Sequence, residues 1–169
     1  MRFVSTALIT GVCALVACAG SPPEARTLHS EPLDSIDPVI SRSLVTFDPA
    51  QSADGKGSLR IDATQPTTVR LVETGDVDVE NAMLTYSAKL RTNDVKGRVY
   101  LEMWAVLPGK GEFFSRALQQ PLTGSTDWTL QQTPFLLEAG QNPENFRLNL
   151  VIDGTGVVWI DDLELSAAS

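Results

Sequence analysis

The 169-residue chain has one histidine, His29, and two cysteines, Cys13 and Cys18, all within its first thirty positions. The remainder therefore lacks the parts of a Ser-His-Asp or Cys-His hydrolase and of a zinc cluster. Basic residues are few, 13 against 21 acidic ones, for a formal charge of −8. Binding a phosphate backbone calls for a basic patch that releases counterions, so nucleic acid is disfavoured as a partner. Aromatic residues make up only 7% of the chain, so each exposed ring needs a reason. A chain of this length buries roughly two-thirds of the surface its unfolded form exposes, enough to fold on its core without disulfide or metal.

What is present begins with an address. Arg2 precedes an almost uncharged apolar run over residues 4–17, long enough for a signal-peptide core and too short to span a bilayer comfortably. It ends in Leu15-Val16-Ala17-Cys18, which resembles the lipobox of bacterial lipoproteins. The resemblance implies a leader over 1–17 and a mature protein beginning at Cys18, whose thiol carries diacylglyceryl and palmitate-type chains. Membrane attachment through that anchor follows. Ala19 in place of aspartate implies the outer membrane if the cell is Gram-negative. The alternative is an ordinary secretory signal cut after a small residue, and either reading exports the protein.

Residues 18–41 are rich in Pro, Ser, Glu and Asp, with Pro22, Pro23, Pro32 and Pro38 among them. The composition reads as a lipidated tether, with His29 as solvent-exposed filler. The folded domain is then 42–169.

Within that domain the hydrophobic period is two. Leu59, Ile61 and Ala63 alternate with polar neighbours, as do Leu84, Tyr86, Ala88 and Leu90, and then Val99, Leu101, Met103, Ala105 and Leu107. Further strands are expected around Leu44, at Val69 and Leu71, and over 112–119, 128–137, 146–153 and 157–166. Turn signals divide them, notably Asn93-Asp94, Pro108-Gly109-Lys110-Gly111 and Asp153-Gly154-Thr155-Gly156. No helical stripe lasts eleven residues. The economical architecture is all-β: eight or nine antiparallel strands in a two-sheet sandwich.

The phrase Asp54-Gly55-Lys56-Gly57-Ser58-Leu59-Arg60-Ile61, the long mid-chain strands, the Trp128 strand and the closing Gly156-Val157-Val158-Trp159-Ile160-Asp161-Asp162-Leu163-Glu164-Leu165 together resemble galactose-binding-like jelly rolls. These include the carbohydrate-binding modules appended to xylanases and glucanases. The Asn-, Gly-, Phe- and Glu-bearing opening strand usual in such modules is not found before Val45. The resemblance implies a structural calcium held by Asp161 or Asp162, carbonyls near Lys56, and a side chain such as Asp48 or Asp54. Hard oxygen ligands on a flexible loop suit that ion. Without an ion, the same aspartates would bond backbone amides or solvent at strand ends.

Parity supplies the candidate binding face. With Val99 to Leu107 inward at odd positions, Tyr100, Glu102 and Trp104 point outward in one line. Lys89, Arg147 and Asn149 fall outward by the same rule, and Arg70 and Arg116 are candidates to join them. Aromatic rings for sugar faces, with Arg, Asn and carboxylate groups for hydroxyls, are the inventory of a carbohydrate site on a concave sheet. If a loop covers Trp104 and Tyr100, they form a second small core instead. Trp128 and Trp159 read as packing, and Phe113-Phe114 as one ring inside and one out. Adjacent Asp161 and Asp162 point to opposite faces unless a bulge intervenes, so they do not flank a bond as glycosidase carboxylates do.

The leading expectation is a non-catalytic, lipid-anchored envelope domain that binds a glycan or another envelope ligand. Its rivals are an envelope assembly protein whose same face binds protein, and a carboxylate-dependent glycan-active enzyme pairing Glu102 with Glu73 or Glu112.

Overall fold

The structure, a computed structural model, describes residues 25–75 and 77–169. Leader and lipobox, with Cys18, lie outside the described residues. Eight strands follow in chain order: β1 (Arg26–Glu31), β2 (Thr46–Asp48), β3 (Ser58–Ala63), β4 (Thr67–Gly75), β5 (Ala82–Leu107), β6 (Gly111–Arg116), β7 (Leu122–Leu137) and β8 (Asn145–Ala168). A 3-10 turn, Arg42–Leu44, precedes β2. Every pairing is antiparallel. The all-β class and the strand number agree with the sequence.

The two longest strands organise the rest. β5 and β8 pair from Met83↔Ala168 to Val106↔Asn145, forming one long ribbon that belongs to both layers of the sandwich. In the first layer, β7 flanks the early half of β5, while β1 and β3 flank the late half of β8. In the second, β6 flanks the late half of β5 and β4 the early half of β8. The Tyr86 hydroxyl, from the first layer, reaches the Asn149 carbonyl of the second at 3.5 Å, so the two halves face each other across the core.

Two expected turns are instead the corner of this ribbon. Asn93-Asp94 and Asp153-Gly154-Thr155-Gly156 do not reverse the chain; they lie opposite each other, with Lys96↔Thr155 and Gly97↔Gly154 in register beyond a bulge. Asp94 takes φ 52°, Gly97 123° and Gly154 153°, conformations that bend a strand and that side chains other than glycine rarely adopt. The approach is close enough that a Cβ on Gly97 would lie 2.1 Å from the Asp153 carbonyl oxygen. The same residue types that end a strand elsewhere here fold a continuous one.

The alternation read from sequence fills the core. Leu84, Tyr86, Ala88 and Leu90 from one layer and Leu101, Met103, Phe146, Leu148, Leu150 and Ile152 from the other are fully buried. Each large aliphatic or aromatic side chain so buried contributes about 1.5–3 kcal/mol relative to exposure. Burial in that apolar space also pushes the Tyr86 phenol far above its ordinary pKa.

The expected tether over 18–41 is corrected in its described part. Arg26–Glu31 pairs with the end of β8, with Arg26↔Ala167 and Glu31↔Leu163 in register. Leu33 and Val39 join the core at 1% and 2% exposure, and Ile40 and Ser41 donate backbone hydrogen bonds to β4 at Leu71 and Arg70. The polar composition misleads because Leu28, Leu33, Ile36 and Val39 are too sparse to show a period. Pro32 directly follows β1, and Pro38 lies in the turn closed by the Val39 amide on the Ile36 carbonyl at 3.1 Å. His29 stands half-buried in β1, 3.2 Å from Glu31, and is not filler in a stalk.

Candidate functional site

Cross-strand register decides what meets on the outer face of the second layer. Glu102 lies opposite Asn149 on one side and Arg116 on the other, and Trp104 opposite Arg147 and Phe114. Four strands thus deliver one cluster, since β4 adds Arg70 and Glu73 beside Asn149 and Arg147.

Glu102 is its centre. Although only 5% exposed, its carboxylate accepts from Trp104 Nε1 at 2.8 Å, Asn149 Nδ2 at 3.0 Å and Arg116 Nε at 2.6 Å. Burial pushes its pKa up, but these three donors and the Arg116 charge outweigh burial, and the net direction is down. Glu102 is therefore ionised at neutral pH. The neighbouring carboxylates are also engaged: Glu112 pairs with Arg147 at 2.7 Å, and Glu73 with Arg70 at 2.7 Å and with the Asn145 amide at 2.9 Å.

Trp104 is half-buried, with its N–H held by Glu102, Arg147 5.5 Å over its ring and Phe114 at 5.0 Å between centroids, tilted 46°. Phe114 is the open ring, 51% exposed, with Arg116 4.5 Å from its centroid. Its neighbour Phe113, at 43%, is exposed as well, which corrects the expectation of one ring in and one out. Among the described residues β6 pairs along one edge only, with β5, so both rings stand on a rim strand. Tyr100 is only 8% exposed and is lost as a contact residue. Lys89 lies in the other layer, where it pairs with Asp162 at 2.7 Å; register puts it opposite Asp161, away from the face it was expected to share.

A second cluster gathers where the turn before β3 meets the end of β8. Carboxylate oxygens of Asp34, Asp54 and Asp161 lie within 4.8 Å of one another. Asp161 is fully buried and accepts from the Ala53 amide at 2.7 Å and from its neighbour's amide at 3.0 Å. Burial, with the nearby charges of Asp162 and Asp54, raises its pKa despite those bonds. One oxygen of Asp34 is buried without a hydrogen-bond partner. Lys56 supplies partial compensation, 3.0 Å from Asp54 and 3.9 Å from Asp34. An all-oxygen set with a buried unsatisfied acceptor fits a hard divalent cation.

Of the four aspartates expected to ligate, the structure brings Asp54 and Asp161 together and gives Asp48 and Asp162 other partners. Asp48 accepts from Trp159 Nε1 at 2.9 Å, and that indole, 8% exposed, lies between Arg60 and Arg91 at 5.5 and 5.8 Å. Asp162 takes φ 50° in a bulge opposite β5, which is how adjacent aspartates come to have unrelated partners.

No protein-family model matches the chain, and no curated protein sequence does. Solved structures do. The CBM22-1 xylan-binding domain of Paenibacillus barcinonensis Xyn10C superposes with a TM-score of 0.60 at 14% identity, covering 89% of this chain and 99% of that one. The C-terminal family 22 carbohydrate-binding module of Clostridium thermocellum Xyn10B gives 0.56 at 11%, covering 85% and 95%. TmCBM61, solved with β-1,4-galactotriose, gives 0.55 at 12%, covering 83% and 97%. The fold is that of a carbohydrate-binding-module β-sandwich.

Two residues of these clusters escaped the sequence reading. Asp34 stood in the supposed tether, and no local pattern tied it to Asp161, 127 positions away. Phe114 was visible as an aromatic pair, but its exposure depended on β6 being a rim strand. Arg116 and Asn149, by contrast, followed from parity once their strands were paired.

Proposed function

We propose that this chain is a non-catalytic carbohydrate-binding domain that uses the outer face of its second layer, held at the bacterial envelope by a lipid on Cys18. One observation carries the binding reading: a rim aromatic pair, Trp104 and Phe114, flanked by Arg147 and Arg116, whose orientations Glu112 and Glu102 fix, with Asn149 buried behind them at 7% exposure as a partner of Glu102. Aromatic faces stack on the apolar faces of sugars while the fixed polar groups meet hydroxyls. Two structural neighbours, one a xylan-binding domain and one solved with β-1,4-galactotriose, support the ligand class. Against catalysis, Glu102, Glu73 and Glu112 each carry a cationic partner, and Glu102, held ionised, is a poor general acid. The Asp34, Asp54 and Asp161 cluster is assigned to a structural calcium, which would tie the segment after β1 to the end of β8 by neutralising charge.

The test is a glycan array of xylo-oligosaccharides, β-1,4-galacto-oligosaccharides and envelope glycans, read with wild type and Phe114→Ala. Phe114 is exposed on a rim, so its truncation should leave melting within about 2 °C while weakening binding by about 1–3 kcal/mol, the range of a lost stacking contact. Absence of binding to every glycan, or a Phe114→Ala variant that binds as wild type does, would refute the reading.

A further inference from the structure

The outer-face site borders a cleft in which none of Trp104, Phe114 and Arg147 takes part. A hollow of about 400 Å³ opens between β6 and β7, lined by Ser115, Arg116, Gln119, Gln120, Gln131 and Gln132, with Leu130 and Pro134 as its apolar part. β6 and β7 each pair with β5 along one edge only, so the hollow lies between the rims of the two layers.

Its occupant is constrained by chemistry. Free strand edges often accept a peptide as an added strand. Here that route is blunted, because Pro134 has no N–H and its carbonyl already accepts from the Ser115 hydroxyl at 2.6 Å. Ser115 also meets the Thr133 hydroxyl at 2.6 Å, bridging the two rims. Recognition in the cleft therefore falls to side chains. Three exposed primary amides, Gln119, Gln120 and Gln132, each able to donate and accept, suit the paired hydroxyls of a sugar; Gln131 is buried, and no carboxylate lines the cleft. Leu130, 59% exposed, offers an apolar contact.

Arg116 joins the two regions. It lines the cleft, lies over the exposed Phe114 ring at 4.5 Å and is anchored through Nε by Glu102. Phe114 and Arg116 are two residues apart on one strand, about 7 Å along it. A chain leaving the aromatic face over the β6 rim meets the amides next.

We infer that the β6–β7 cleft is a second carbohydrate subsite, continuous with the Trp104 and Phe114 face through Arg116, so that the domain takes an extended segment of polysaccharide. This rests on the carbohydrate-binding reading of the outer face. It predicts a length dependence: a trisaccharide fills the face alone, whereas a hexasaccharide also reaches the cleft.

Calorimetric titration of the full chain with xylotriose and xylohexaose, and with β-1,4-galactotriose and galactohexaose, tests it in wild type, Phe114→Ala and a Gln120→Ala, Gln132→Ala double variant. Gln120 and Gln132 are exposed, so the double variant should melt as wild type does. The expected result is hexasaccharide affinity about 5–20-fold weaker in the double variant with trisaccharide affinity unchanged, while Phe114→Ala weakens both lengths. A double variant that binds hexasaccharide as wild type does, or loses both lengths equally, overturns the cleft and leaves the face. Wild type that binds none of the four sugars overturns both.

Discussion

Glu102→Ala is the perturbation for which the structure makes the sharpest demand. Removing the carboxylate leaves Asn149, 7% exposed, with an amide donor that water reaches poorly, a loss of about 1–3 kcal/mol. The half-buried Trp104 N–H adds about 1 kcal/mol on the same ground. Arg116 has 36% of its side chain exposed and can turn to solvent, so its ion pair counts for little. The sum is about 2–4 kcal/mol, or roughly 6–12 °C in melting temperature for a domain of this size. Glu102→Gln keeps an acceptor for Asn149 and Trp104 but sets an amide against Arg116, and should cost about 1–2 kcal/mol. The pH dependence has a definite sign. Because the folded-state pKa lies below the ordinary 4.5, the contribution of Glu102 is fully present above that value and is lost as pH falls through the folded pKa. Urea melts from pH 8 to pH 3 should show a constant gap between wild type and Glu102→Gln that narrows below about pH 4.5. A Glu102→Ala variant within about 0.5 kcal/mol of wild type, the usual scatter of surface changes, would show that the three-donor arrangement does not hold the face together.

Two further outcomes bear on the remaining proposals. If calcium occupies the aspartate cluster, a chelator should lower the wild-type melting temperature, by about 2.7 kcal/mol of stability where free calcium had been a hundred times its Kd; an Asp34→Asn, Asp161→Asn variant should not respond, and a wild type indifferent to chelator removes the metal. Lipid on Cys18 predicts that Cys18→Ser moves the protein from the detergent-dependent to the soluble fraction, with the acyl mass missing; an unlipidated wild type refutes the anchor.

If the anchor is present, the fold shortens its reach. With β1 beginning at Arg26, only residues 19–25 separate Cys18 from the first strand, at most about 25 Å of extended chain. A tether running to residue 41 would have allowed far more.

The alternation of Leu84 to Leu90 and of Val99 to Leu107 determined strand character and the inward face without help, because the side-chain period of a strand is a local property. It also placed Glu102, Trp104, Arg147 and Asn149 with one parity, and strand pairing made them neighbours. What the sequence by itself could not decide was long-range. Whether Gly97 and Gly154 end strands or bend one depends on their lying opposite each other, 57 positions apart. Whether 26–41 is tether or structure depends on β8 offering Arg26–Glu31 an edge, and only that docking brings Asp34 to Asp161. Lys89 shares the parity of the outer line yet lies in the other layer, since parity tells inside from outside but not one sheet from the other. Tyr100 points outward and is buried nonetheless, because exposure is set by neighbours that arrive from other strands.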